Sequence, residues 1–172
     1  MSKTEKIFLL LNLVLVIGYI NWAVAVKEKT LRNGKLLLLE LAPVDPRSLM
    51  QGDYMRLDYQ INRLPEETVL DKRGTTTIGK RGYCILKTDS SGVAQRIRFQ
   101  PDIQPLGAEE IAVKYYSNGN RSFTRIHIGA ASYFFEEGSA KKYEPARFGG
   151  LKIDAEGNTV LVGLYDVNRK LL

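Results

Sequence analysis

Asp53-Tyr54-Met55-Arg56-Leu57-Asp58-Tyr59-Gln60-Ile61 is the stretch from which the rest of the chain can be read. Met55, Leu57, Tyr59 and Ile61 fall on one side of an extended backbone, and Arg56, Asp58 and Gln60 on the other. Strand side chains alternate between faces with a period of two, so the pattern predicts a half-buried strand with one face on a core. A helix would scatter the same residues around its circumference. The core is therefore expected to be built on sheets.

Working upstream, Lys35 to Leu41 reads as a first strand rich in leucine. Between the two strands, Pro43-Val44-Asp45-Pro46-Arg47-Ser48-Leu49-Met50-Gln51-Gly52 reads as one short helical turn and a corner. Asp45 is a good N-cap, Pro46 suits the first helical position, and Gly52 can close the turn in the left-handed region. That corner sets the Asp53 carboxylate at the bend and leaves Arg47 to pair with an acid. Downstream, Tyr83–Thr88, Val93–Phe99, Ile111–Tyr116 and Phe123–Ile128 read as strands, the first two joined in a hairpin. Leu151–Asp154 and Thr159–Asp166 form a second hairpin around Ala155-Glu156-Gly157-Asn158, where Gly and Asn supply positive φ. Residues 66–80 and 100–110 read as connections.

At the other end, Ile7 to Val26 reads IFLLLNLVLVIGYINWAVAV without a charge. As a helix it extends about 30 Å, the thickness of a bilayer core. Tyr19 and Trp22 suit the membrane interface, and Lys27, Lys29 and Arg32 follow in the head-group zone. Asn33-Gly34 is a helix-stop signal, so the helix is expected to run on to about Leu31. A cleaved secretory signal is the competing reading, given Lys3, Lys6 and the small-x-small Ala23-Val24-Ala25; the long apolar run and bulky Trp22 favour retention. The flanking charges favour a cytoplasmic C-terminal side. A short tail before a long apolar stretch nevertheless resembles a bacterial signal anchor, and the adopted reading puts the domain on the extracytoplasmic side. Asn12 and Tyr19 share a helix face, with Asn21 nearly opposite. Amides in hydrocarbon prefer a partner helix, so Asn12 and Tyr19 are the expected contact with another membrane protein.

The chain of 172 residues has room for one domain and this anchor. The predicted organisation is a tail over residues 1–6, a transmembrane helix over 7–26, a linker over 27–34 and one antiparallel β-rich domain with few short helical turns over 35–172. A net charge of +6 suits an anionic surface. There is no dense basic run and no recognition helix, so acidic lipid is the expected contact and nucleic acid is not. One cysteine, Cys84, and one histidine, His127, exclude an intramolecular disulfide and a Cys/His zinc site. No cofactor or metal is expected. Glu136, Glu137 and Glu144 read as solvated acids, Cys84 as a small buried hydrophobe, and His127 as an ordinary strand residue.

Gly52-Asp53-Tyr54-Met55-Arg56-Leu57-Asp58-Tyr59 resembles the GDYxxLxY signature of a family of bacterial membrane-anchored proteins named for that motif. The resemblance extends through Leu31-Arg32-Asn33-Gly34 and Pro43-Val44-Asp45-Pro46-Arg47 to Tyr133-Phe134-Phe135-Glu136-Glu137-Gly138 and Glu144. It implies a membrane location and a multi-pass membrane protein as partner, rather than an activity. The expected binding or structural corner is Asp45, Arg47, Gly52, Asp53, Tyr54, Leu57 and Tyr59. The alternative is a membrane-bound hydrolase resembling signal peptidases, a class with a similar Gly-Asp dipeptide opening a strand. Val44 stands where that class has its serine, so Ser48 would have to serve, with Lys80 as a desolvated base. An accessory or interaction protein, not an enzyme, is the preferred reading.

Overall fold

The structure, a computed structural model, describes residues 2–42, 54–64, 78–120 and 123–172. Helix α1 spans Lys3–Asn33, opened by a capping box in which Ser2 and Glu5 satisfy each other's backbone amides. Two further residues are helical beyond the expected Leu31, and the Gly34 N–H bonds the Thr30 carbonyl to end the helix. Among the described residues this is the one helix long and apolar enough to cross a membrane, and its most apolar window is wholly unburied.

Among the described residues nine strands follow: β1 (Lys35–Glu40), β2 (Tyr54–Arg56), β3 (Arg81–Thr88), β4 (Ala94–Gln100), β5 (Glu110–Asn120), β6 (Phe123–His127), β7 (Ser132–Phe134), β8 (Phe148–Ile153) and β9 (Thr159–Tyr165). The described residues also hold a 3-10 turn at Gln60–Asn62 and one helical turn, α2 (Ala140–Tyr143). The sheets run β1-β8-β9, β4-β3-β5-β6 and β2-β7, and every strand pair is antiparallel. A parallel bridge from Leu38 to Val93 links the two larger sheets. The chain is thus β-rich and antiparallel, with a long apolar helix at its N-terminus.

Both expected hairpins form. In β3–β4 the Asp89 carboxylate accepts from the Ser91 and Val93 amides, which tightens the turn. In β8–β9 Gly157 alone takes positive φ, +79°, and Asp154 Oδ1 accepts from the amides of Glu156 and Asn158. The two central strands of the larger sheet bury Cys84, Ile85, Leu86 and Val113 completely, and Leu37 and Leu39 of β1 join most of them in one core. That core also holds Met55, Leu57, Tyr59 and Ile61, the four residues read as one strand face.

The strand expected over Asp53 to Ile61 is shorter than its alternation suggests. β2 covers Tyr54–Arg56, Tyr59 makes one isolated bridge to Leu41, and the chain then tightens into the 3-10 turn. The alternation of faces survives because its cause is burial, while strand length is set by how far β7 can pair.

The last turns of α1 are fastened to the β8–β9 hairpin. Thr30, fully buried, donates to Asp154 Oδ2 at 2.7 Å, and Lys152 Nζ donates to the Leu31 carbonyl. Lys27 Nζ reaches the Thr159 carbonyl at 3.5 Å.

Candidate functional site

The motif segment is stitched between two neighbours. On one side β2 pairs with β7 in the register Tyr54↔Phe134, Met55↔Tyr133, Arg56↔Ser132, and the Leu57 N–H continues the ladder to the Ala131 carbonyl at 2.9 Å. On the other side the Ala42 N–H donates to the Asp58 carbonyl at 2.8 Å, beside the Leu41–Tyr59 bridge. Arg96 of β4 braces the following turn by donating to the Ile61 carbonyl at 2.7 Å.

Tyr59 has a fitted socket. A Cβ on Gly149 would lie 2.8 Å from one edge of its ring, and a Cβ on Gly129 would lie 3.2 Å from the other. No L side chain fits at either place without moving the ring. Burial pushes the phenol well above its ordinary range. The Ala130 backbone comes near the hydroxyl, but no hydrogen bond of normal geometry forms and the oxygen is left buried without a partner.

The motif therefore divides. Leu57 and Tyr59 belong to the core, whereas the Tyr54 ring packs on Phe134 at 5.5 Å between centroids, and Phe134 is 73% exposed. Beside Leu57 and Tyr59 opens a cleft of about 360 Å³, lined among others by Arg56, Asp58, Asn62, Arg63, Tyr116 and His127. Asp58 pairs with Arg63 at 3.2 Å. The His127 ring stacks on Tyr116, with centroids 4.7 Å apart and planes 11° from parallel. The Asn62 side-chain oxygen is buried without a partner. The cleft wall sets these polar groups beside apolar side chains, among them Leu57, Ile126 and Ile128.

Of the residues expected at the site, Asp45, Arg47, Gly52 and Asp53 lie outside the described residues, as does Ser48. Tyr54, Leu57 and Tyr59 are described, with Tyr54 half-buried and the other two inside. Lys80 is exposed, so it lacks the desolvation that a lysine base needs. Cys84 is buried and its thiol is pushed up to about 12 by that burial. On α1, Asn12 and Tyr19 are exposed; the Asn21 side chain donates to the Ile17 carbonyl at 2.8 Å, while the Asn12 side chain makes no hydrogen bond among the described residues. No group of three or more His, Cys, Asp or Glu able to hold a metal ion occurs among the described residues.

Sequence reasoning missed Phe134, the glycine socket and the Tyr116–His127 stack. The Gly149-Gly150 pair inside a strand was the available signal, since glycine in a strand marks a close approach.

A β-rich domain carried on one long apolar helix, with the strand Tyr54–Arg56 stitched to its neighbours, is the class that this architecture defines. The GDYXXLXY protein family model matches residues 16–164, most of the chain, and the chain belongs to that family. No curated protein and no solved structure matches it.

Proposed function

We propose that this chain is a single-pass protein of the bacterial cytoplasmic membrane whose β domain, on the extracytoplasmic side, is an interaction module for a multi-pass membrane protein. The observation that carries the reading is the exposed Phe134, seated on Tyr54 of the motif strand. A large aromatic side chain in the open, packed on a cross-strand neighbour, is the kind of anchor that dominates binding at protein interfaces. The expected corner of Asp45, Arg47, Gly52 and Asp53 adjoins Tyr54 in sequence. Asn12 supports a second contact within the bilayer, because its unbonded amide is better satisfied by a partner helix than by hydrocarbon.

The test is photo-crosslinking in bacterial membranes from a benzophenone side chain placed at Arg56, at the mouth of the cleft. One multi-pass protein should crosslink, with yield falling about tenfold or more in Phe134→Ala, as expected for an interface anchor, and falling also in Asn12→Leu. No crosslink from a folded, membrane-inserted chain would overturn the reading. Hydrolysis of a membrane-protein peptide that Ser48→Ala abolishes would replace it with the hydrolase reading.

A further inference from the structure

We infer that the β8–β9 end of the domain rests on the bilayer surface and binds the anionic head groups of acidic phospholipids. The inference rests on the membrane-anchored reading. Its argument starts from where the helix touches the domain. The apolar run ends at Val26, and the helix residues that bond the domain are Lys27, Thr30 and Leu31. At the rise of an α-helix these lie within about 8 Å of the end of the apolar run. A head-group layer is about 5–8 Å deep on each side of the hydrocarbon. Their partners Thr159, Asp154 and Lys152 are therefore held at head-group depth, with no stalk between membrane and domain.

The chemistry at this level matches an anionic, amphipathic surface. Lys27, Lys29, Arg32, Lys35, Lys114 and Lys152 lie on the last turns of the helix, on the first residue of β1 and around the hairpin. Lys114 belongs to the group because its Nζ donates to Asn158 Oδ1 and its backbone N–H to the Gly157 carbonyl. Acids accompany them too, and Glu109, paired with Lys87, lies near Lys35. Glu28 pairs with Arg32, Asp154 is taken up by Thr30 and Asn158, and Glu156 is exposed. Leu31 and Leu36 are 40% and 43% exposed in the same region, and Leu36 faces Lys152 across the strand pair. Exposed leucines among lysines whose stems can snorkel are the composition of a membrane-contacting rim.

The test uses the purified full-length chain in phosphatidylcholine vesicles with and without phosphatidylglycerol. Glu156→Cys carries a fluorophore, and quenching by nitroxide held at the lipid head group reports contact. Spin-labelled phosphatidylglycerol and phosphatidylcholine report lipid preference. The expected result is strong quenching and a preference for phosphatidylglycerol of about fivefold, the factor one basic residue gives near an anionic surface. The preference should fall towards one in Lys29→Gln/Lys35→Gln/Lys114→Gln and in 1 M salt, as exposed charges are screened at about that concentration. Equal association of the two lipids, or a preference that the triple variant keeps, overturns the head-group site. A chain that resists carbonate extraction but leaves the label unquenched overturns the inference alone; a chain that carbonate extracts overturns both it and the membrane-anchored reading.

Discussion

Tyr59 carries an argument that can be read from a single hydroxyl. Its ring fills the space between Gly129 and Gly149 while its oxygen is buried without a partner. An unpaired buried polar group costs free energy, and removing it is neutral or stabilising. Tyr59→Phe should therefore leave thermal stability unchanged or raise it, whereas Tyr59→Ala should cost about 3–5 kcal/mol, as for other large aromatic truncations. Melting of the β-sheet circular dichroism in detergent separates the two, and a Tyr59→Phe variant destabilised by more than about 1 kcal/mol would mean the hydroxyl has a partner. Cys84 makes a second case. Its thiol is buried and pushed up to about 12, so at pH 8 a maleimide should fail to label it until the protein is unfolded. Rapid native labelling would show that the β3–β5 core opens.

Two elements are tied by carboxylates, and each tie has a direction in pH. Glu110 at the start of β5 accepts both Nη atoms of Arg98 and the Gly107 N–H, while Arg98 also donates to the Pro105 carbonyl, so one ion pair closes the 101–109 connection. The Arg98 bond, then the Gly107 amide, holds the Glu110 carboxyl at about 2. A depressed carboxyl stabilises fully above its ordinary range near 4.5 and loses that effect as pH falls towards about 2. Wild type should accordingly exceed Glu110→Gln in stability at pH 7, and the two should converge near pH 2; a constant gap across that range would remove the pair from the account. At the helix end, burial pushes the Asp154 carboxyl up, but bonds from Thr30, Asn158 and the Asn158 and Glu156 amides together hold it below its usual range. Thr30→Val keeps the shape and deletes one donor to a charged acceptor, which should cost about 1.5 kcal/mol and speed amide exchange across the end of α1 and the β8–β9 turn. Unchanged exchange at both places would show that the contact is idle. These ties were not legible in the sequence, because Arg98 and Glu110, or Thr30 and Asp154, are joined only by tertiary structure. The local features were: alternation placed Met55, Leu57, Tyr59 and Ile61 inside, and turn residues placed both hairpins. β7 escaped because Ser132-Tyr133-Phe134 is too short to show a period, and β8 was entered late because Phe148-Gly149-Gly150 has loop composition. The same chemistry explains the site: Tyr59 was recognisable as a motif residue, while Phe134 and the cleft required strand pairing that no local pattern encodes.

For the molecule as a whole, the central claim is that α1 crosses a bilayer and enters the domain without a flexible joint. The helix is continuous from Lys3 to Asn33, its apolar side chains find no cover in the domain, and its last turns are bonded to β8 and β9. On the proposed membrane reading, a helix joined in this way sets the height and orientation of the domain, including the Tyr54–Phe134 pair and the cleft. The most direct measurement is a depth profile. Single cysteines placed at successive positions from Lys6 to Lys35 in the full-length chain would be spin-labelled in bilayers, with native Cys84 silent, and their relaxation by oxygen compared with that by a water-soluble nickel complex. Oxygen access should dominate over about 20 residues, as a bilayer crossing requires, peak near Val16 and give way to nickel access from Lys27. Immobile labels from Leu31 onward should mark the joint. Nickel access throughout residues 7–26, or labels at residues 27–33 moving as freely as a disordered linker, would contradict the claim.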